Sequence, residues 1–509
     1  NMQAYVSGFN GNSLWGMDGD NNQGYLVLID GVPRAANNIL PTEISTITFL
    51  KSAQAVVLYG SRAAKGAILI TTKRGTNDGL SVSVRANTGV HVAKAYPEYL
   101  GAAEYMTYYN EALANDGKPA LYTQDEIYYH SAGLNPYRYP DINYYSSEYI
   151  NKAYNRSDVT AEISGGGGRA HFYSNISYYN QGDFLKVGEA ANNNTSRFNV
   201  RGNVDVKLND FIKAYINANT TFYDSKSGKG NYWEAAATMR PNFPQHAAPL
   251  IPIDLIDPNA TAAWDLVNAS GNIITMNGQR YFLAGTQQNK THVFGDMYAA
   301  GRSKWTSRQF QFDAGVEIDL GRVLKGLTFK TVYAVDYATS YSTSYDNEYA
   351  IYTPTWSMYN GKEYITDLKQ EGLDKKSGNQ NINGSDADMT MLWTGQFNYD
   401  RTFAAKHNVS AMLVAGAFRQ TLAGEYHRVA NANLGILASY NYDHRYYFDF
   451  SGAAVHSAKL APGHRGAFSP SVTLGWNIAN ESFLKDSEAV NTLTLSVSAS
   501  ELNQDIDIS

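Results

Sequence analysis

The sequence predicts an all-β transmembrane barrel preceded by a small α+β unit. Three observations carry this reading. Long stretches alternate strictly between apolar and polar residues, as half-buried strands do. Their connections alternate between short and long. The composition is polar yet weakly charged: 17% charged residues, 39 Tyr and 43 Gly among 509 residues, with a mean hydropathy of −0.38.

The α+β unit occupies residues 24–75. Leu26–Ile29 is an apolar run ending in the turn Asp30-Gly31-Val32-Pro33. Pro41-Thr42-Glu43-Ile44 is a helix-start signal with Glu43 in the first turn. Ile44–Phe49 reads as a short strand. Gly60 and Gly66 punctuate a helix and its exit, and Ala67–Thr72 is a further β-branched strand.

Periodicity governs the chain from residue 80 onward. In residues 196–208, Phe198, Val200, Gly202, Val204, Val206 and Leu208 share one face, and Arg197, Asn199, Arg201, Asn203, Asp205 and Lys207 share the other. The run is long enough to cross a bilayer at the usual tilt. After the turn Asn209-Asp210, Ile212, Ala214, Ile216, Ala218, Thr220 and Phe222 repeat the pattern. An Arg or Lys facing lipid costs roughly 2–4 kcal/mol at mid-bilayer. Arg197, Arg201 and Lys207 must therefore face a polar lumen. Residues 309–320 set Phe310, Phe312, Ala314, Val316, Ile318 and Leu320 opposite Gln309, Gln311, Asp313, Glu317 and Asp319, and 327–337 follow suit. Candidates at 80–90, 158–164, 170–180, 387–400, 407–420, 431–442, 445–456, 467–479 and 491–501 bring the total to about thirteen strands.

A soluble sandwich shows the same alternation with its apolar face inward, so alternation alone leaves both architectures open. The connections separate them. Those at 165–169, 209–210, 321–326, 401–406 and 443–444 are short, whereas 91–157, 181–195, 225–307 and 338–386 are long. Short periplasmic turns opposite long external loops are the asymmetry of an outer-membrane barrel. A sandwich has no reason to keep that order.

Composition narrows the function classes. The formal charge of −6 and the lack of a basic cluster argue against nucleic-acid binding. Zero cysteines exclude disulfides and thiolate metal sites. No apolar run reaches the length of a membrane helix, which a barrel does not need. The tyrosines fit the aromatic girdles of a barrel, although an extracellular all-β protein also accommodates them.

The stretch LVLIDGVP…LYGSRAAKGAILITTKRG resembles the plug domain of TonB-dependent outer-membrane transporters, in the form found in the SusC-like (RagA-like) branch. Residues 454–486, where Gly463-His464-Arg465 precedes Pro470-Ser471-Val472-Thr473-Leu474-Gly475-Trp476, resemble a barrel segment of that branch. The resemblance implies an α+β plug in the lumen of a 22-strand barrel. It makes 1–78 the C-terminal part of the plug and 79–509 the N-terminal portion of the barrel, with the chain truncated at both ends. It implies localisation in the outer membrane, in contact with its lipid, and energised import driven by the TonB–ExbB–ExbD complex. A SusD-like lipoprotein partner, dimers of SusC–SusD pairs and no cofactor are expected with it. The aromatic, low-charge loops favour an oligosaccharide cargo. An oligopeptide is the alternative within the family, and a secreted carbohydrate-binding β-protein is the alternative outside it.

Several residues are candidates for the site. Residues 11–24 hint at a calcium loop, but Gln23 and Ile29 stand where an EF-hand needs Gly and Glu, and no metal is expected. The family resemblance places this segment facing the external cavity, where Trp15 offers an aromatic face and Asp18 and Asp20 offer acceptors for hydroxyls. Tyr137, Arg138, Tyr139 and Asp141, with Tyr144 and Tyr145 in the same loop, and Trp356 in the loop 338–386, are either ligand contacts or loop packing. Asp30, Gly31, Pro33, Tyr59, Gly60, Arg62 and Gly66 are expected to matter to the plug's structure. Arg62 and Arg74 are expected to pair with lumen carboxylates such as Asp205 or Glu317. Gly165–Gly168 lacks the Lys of a phosphate loop and reads as a tight turn. The ten histidines form no metal-binding pattern and no nucleophile elbow is present, so the chain is not read as an enzyme.

Overall fold

A computed structural model describes residues 25–505, apart from 36–38, 51–52, 77–78, 239–247, 277, 288–292, 426–428, 485–488 and 504. The first elements are β1 (Leu26–Ile29) and β2 (Val32–Pro33), a hairpin closed by Asp30 and Gly31. Both turn residues have positive φ, 53° and 85°. That is the type I′ geometry, which Asp-Gly adopts with least strain. Pro33 lies on the edge of its sheet, where its missing N–H costs no ladder bond. β3 (Ile44–Leu50), α1 (Ala53–Tyr59) and β4 (Ala67–Thr72) follow, and the four strands pair in the order β2-β1-β4-β3. Ile29, Ile39, Ile68 and Ile70 form one small core, and Leu28, Ala55, Ala63 and Ala67 form another. The helix start at Pro41 amounts to one 3-10 turn, Pro41–Glu43, after which β-branched Ile44, Thr46 and Ile47 take the chain straight into β3.

The wall follows as β5 (Ser81–Val92), β6 (Ala153–Gly166), β7 (Ala170–Gln181), β8 (Asn194–Lys207) and β9 (Ile212–Gly228). Three loop strands intervene, β10 (Leu250–Pro252), β11 (Ile274–Met276) and β12 (Gln279–Leu283). The wall resumes with β13 (Gly301–Asp319) and β14 (Leu327–Asp346), and a loop hairpin of β15 (Ile351–Tyr359) and β16 (Lys362–Glu371) comes next. It continues through β17 (Asn381–Phe403), β18 (His407–Leu422), β19 (Val429–Tyr442), β20 (Tyr446–Ser457), β21 (Gly466–Asn477) and β22 (Thr494–Ser500). The thirteen wall strands form one sheet in chain order, antiparallel throughout, with β5 and β22 as its edges. Gly165 and Gly166 end β6 and the N–H of Gly167 donates to the Ala170 carbonyl at 2.9 Å, the tight turn expected there.

The wall is inside out relative to a soluble sandwich. Phe198 is 40% exposed, whereas its neighbours Asn199 and Arg201 are 0% and 1% exposed. Ile216, Phe222, Phe310, Trp393 and Phe448 also lie on the outer surface, while Asn175, Asn203, Asn217 and Asp313 are buried within. Apolar side chains outward and polar ones inward suit lipid and a polar lumen. A secreted sandwich requires the reverse, so that alternative does not describe this chain.

The long connections carry their own structure. Helices α2 (Ala102–Asn115) and α3 (Gln124–Ala132) lie between β5 and β6, and the short helices α4 (Tyr232–Thr238), α5 (Thr261–Ala269) and α6 (Val293–Ala299) between β9 and β13. Ile251, Ile256, Val267, Phe282, Tyr352 and Ile365 share a core that ties the β10–β12 sheet to the β15–β16 hairpin. The region 338–386, expected as one long connection, thus contains the top of β14, a hairpin and the start of β17.

Candidate functional site

The α+β unit is fastened to the inner face of the wall by charged and amide side chains. Asp30 braces the unit internally: its Oδ1 accepts the Thr72 N–H at 2.9 Å and its Oδ2 the Thr72 hydroxyl at 2.7 Å. Arg34, just after β2, reaches two wall strands. Its Nε and Nη2 donate to the two oxygens of Asp336, both at 2.7 Å, and its Nη1 donates to Asp313 at 2.7 Å. A guanidinium makes such planar two-pronged contacts where a Lys ammonium does not. Glu43 meets Arg201 at 3.1 Å and also accepts from Asn199 at 3.1 Å. Asn203 donates to the Thr72 hydroxyl and the Lys73 carbonyl, and Asn433 donates to the Val57 carbonyl. These wall asparagines, Asn199 and Asn203 buried and Asn433 partly so, therefore satisfy backbone and side-chain groups at the unit's surface.

Arg74 pairs with Asp205 at 3.2 Å, as the sequence reading expected. Arg62 departs from that expectation. Its guanidinium lies 3.5 Å above the centre of the Phe418 ring and makes no ion pair among the described residues. Glu317 is engaged by Lys213 at 3.5 Å. Gly60 and Gly66, with φ of 72° and 94°, bracket the 3-10 turn Ser61–Ala63 that carries Arg62. Tyr59 closes α1, and burial pushes its phenol up to about 12, so it is a neutral donor at physiological pH.

Among the described residues, cavities lie at several levels of the wall. One of about 520 Å³, near the short turns, is bordered by Tyr59, Arg74, Asp205, Lys213 and Lys330. One of about 450 Å³ lies between the α+β unit and the wall on the long-loop side of the Arg34 ion pairs. The third, about 920 Å³, lies among the long loops and is lined by Tyr96, Tyr99, Tyr105, Asp141, Tyr144 and Tyr145. There Tyr145 stacks with Tyr99 at 6.1 Å and tilts against Tyr96 at 5.5 Å, with Trp233 6.2 Å away. The hydroxyl of Tyr96 is buried with no hydrogen-bond partner among the described residues. Burial raises the pKa of Tyr96 and Tyr145, so both stay protonated.

The candidate contacts divide. Trp15, Asp18 and Asp20 lie outside the described residues. Tyr137 and Trp356 come together, both packed on the core shared by the two loop sheets. Arg138 pairs with Glu363 on the same hairpin and lies 5.2 Å from the Tyr139 ring. Asp141 lines the aromatic cavity together with Tyr144 and Tyr145, and its Oδ1 also accepts the Ala102 N–H at 3.0 Å, capping α2. The sequence reading did not single out Arg34, Tyr96, Tyr99 or Trp233, and it took Glu43 only as part of a helix start. Only the clustering of tyrosines from residue 96 to 109 marked that segment in advance.

No family model matches the chain. Among curated proteins, TonB-dependent receptor P26 of Formosa agariphila is 23% identical over 505 residues, covering 97% of this chain and 46% of that protein. TonB-dependent receptor SusC of Bacteroides thetaiotaomicron is 26% identical over 507 residues, covering 92% of this chain and 44% of that one. The chain thus spans under half the length of these relatives. Among solved structures, the RagAB peptide importer in its open-open state matches with a TM-score of 0.64 at 17% identity, covering 94% of this chain and 53% of that one. Its closed-closed state matches with the same TM-score at 95% and 54% coverage. A wall that turns its apolar side chains outward around a polar interior, in a chain that aligns with SusC over most of its length, has the fold of an outer-membrane β-barrel and is similar to the SusC-like TonB-dependent receptors.

Proposed function

We propose that this chain is part of an importer that carries oligosaccharides across the outer membrane, energised by the TonB–ExbB–ExbD complex and working with a SusD-like surface lipoprotein. In this reading residues 1–78 are the C-terminal part of the plug and 79–509 the first portion of the barrel. Strands pairing with β5 and β22 close the arc, because an unpaired sheet edge is not tolerated in lipid. The observation that carries the cargo assignment is the tyrosine-lined cavity among the long loops. Its neutral phenols present flat apolar faces to sugar rings and hydroxyls to sugar oxygens, and Asp141 adds an acceptor. The ion pairs of Arg34 and Glu43 hold the plug across the lumen until force is applied to it.

A peptide cargo is the second reading, favoured by the structural likeness to the RagAB peptide importer. Titration calorimetry of the full-length protein, copurified with its lipoprotein in detergent, decides between them. The probes are neutral and uronate-containing hexasaccharides and mixed-sequence hexapeptides. Saturable heat from a saccharide alone supports the glycan reading. Heat from peptides alone moves the cargo to peptides and leaves the importer reading standing.

A further inference from the structure

The outer face of the wall changes character at one level. Along β9 its residues run Ile216, Ala218, Thr220 and Phe222, and then Asp224 and Lys226. Along β13, read from its short-turn end, Phe312 and Phe310 give way to Arg308, Thr306, Lys304 and Arg302. Phe198, Phe222, Phe310 and Tyr337 are exposed below that change, an aromatic girdle on the long-loop side of the membrane. Lys226 lies four residues beyond Phe222, about 13 Å along the strand and about 10 Å higher at the usual tilt. That is the level of lipid headgroups, above the acyl chains.

The basic side chains border a groove of about 620 Å³. Among the described residues that line it, Lys226, Arg302 and Lys304 are basic and Glu189 is acidic. Asp224, just below, is already committed. Arg308 Nη2 donates to its two oxygens at 3.0 and 3.2 Å, and the Thr306 hydroxyl and Lys304 ammonium each reach it at 3.1 Å. Lys226 and Lys304 stand directly opposite each other in the ladder. Like charges so placed repel, which costs stability unless an anion lies between them. Arg302 is exposed beside Tyr345, 5.4 Å from its ring.

We propose that this groove binds a phosphorylated lipid headgroup of the outer leaflet, with the phosphates among Lys226, Arg302 and Lys304. A guanidinium fork and two ammonium groups suit phosphate oxygens. Three features favour a membrane lipid over other anions. The cations share the face of Phe222 and Phe310, so a molecule passing through the lumen does not meet them. β9, β13 and β14 are the fifth to seventh of the thirteen wall strands, so strands added at β5 or β22 do not cover them. The groove is also continuous with the girdle, so acyl chains lying along Phe310 and Tyr337 bring their headgroup to it. Each basic side chain near an anionic lipid surface contributes roughly fivefold in affinity. A lipid held there fixes the height of the long loops above the membrane, whatever the cargo.

Native mass spectrometry of the full-length protein, copurified with its lipoprotein and stripped of lipid in detergent, tests the site. The probes are diphosphoryl lipid A, its fully dephosphorylated form and inorganic phosphate. The variants are Lys226→Gln and the triple variant Lys226→Gln, Arg302→Gln, Lys304→Gln. The control is Arg419→Gln, which removes an exposed cation from the outer face of β18. Expected is saturable binding of the diphosphoryl lipid, weakened about fivefold in Lys226→Gln and about a hundredfold in the triple variant, with Arg419→Gln unchanged. Lys226→Gln, at an exposed position, carries the test if the triple variant fails to fold. Equal affinity of the substituted and unsubstituted proteins overturns the site. Equal binding of the dephosphorylated lipid overturns phosphate recognition, because acyl chains alone then suffice. Displacement of the lipid by inorganic phosphate at equal concentration makes the groove a site for the free ion and overturns the lipid. Loss of the copurified lipoprotein, or of hexasaccharide binding, from the triple variant with lipid binding intact assigns this face to a partner or to cargo and overturns the proposal as well.

Discussion

Glu43 of the plug and Arg201 of the wall face each other at 3.1 Å with both side chains closed to solvent. Desolvating such a pair offsets most of its attraction, so its contribution is to position the plug more than to stabilise the chain. Removing one partner is another matter, because the survivor is a buried charge without compensation.

Glu43→Leu or Arg201→Met alone should therefore weaken plug seating by about 3–5 kcal/mol. The double substitution should recover most of that loss. Hydrogen exchange of the β3 amides, Ile44–Leu50, reads the local opening free energy. Losses that simply add in the double variant would show that the pair is not coupled.

Gly435 marks a second contact of plug and wall. A Cβ there would lie 2.5 Å from the Val57 carbonyl oxygen and 2.8 Å from Val57 Cγ1. The oxygen belongs to α1's backbone and already accepts from Asn433 at 3.0 Å, so it cannot give way cheaply. Gly435→Ala should cost about 1–3 kcal/mol and expose α1 to exchange and proteolysis. Gly202→Ala, on the lipid face of β8 with nothing within 4 Å, should change neither. Equal behaviour of the two variants would remove the close approach from the account.

What the sequence disclosed follows where the solvent imposes a rule. Between lipid and lumen, every second residue of β8 and β13 must be apolar, and both strands are readable to within a few residues at their short-turn ends. Above the lipid that rule lapses. The upper half of β14, Ala338–Asp346, is Ser-, Thr- and Tyr-rich with no apolar face, so its strand character is invisible in the pattern. The β15–β16 hairpin did leave a mark, Asn360-Gly361 at its turn, with φ of 50° and 75°. The plug–wall ion pairs left none. Arg34 and Asp336 are 302 residues apart, and nothing local in either segment names its partner. The loop cavity was half legible: Asp141, Tyr144 and Tyr145 stand together in sequence, but Tyr96, Tyr99 and Trp233 join them only through the fold.

Asp141 has a structural task that is separable from any contact with cargo. Its carboxylate caps the first N–H of α2 and sits 3.2 Å from where a Gly101 side chain would begin. Asp141→Ala should fray the first turn of α2 and cost about 1 kcal/mol. Asp141→Asn keeps an acceptor and should lose only the charge contribution. Exchange rates over residues 102–106 separate the two variants. If Asn behaves as Ala does, the hydrogen bond is not what holds the helix start.

His130 gives the loop region a pH dependence of definite sign. It lies near the end of α3, with Nδ1 3.1 Å from the Pro140 carbonyl oxygen and its ring edge-on to Tyr139 at 5.5 Å. Burial lowers its pKa, outweighing the Pro140 hydrogen bond and the fields of Asp141 and Glu126. The folded loop thus holds the neutral ring more firmly than the unfolded one does. As pH falls below about 6.5, the unfolded state takes up the proton first, and stability declines until the folded ring also titrates. Packing of α3 against the 137–141 segment should therefore loosen as pH falls below about 6.5. The readout is exchange over residues 124–132, corrected for its intrinsic pH dependence. His130→Gln, which carries no titrating ring, should flatten that change. A pH response that survives in His130→Gln belongs to another group, and one of opposite sign means that Asp141 and Glu126 outweigh burial.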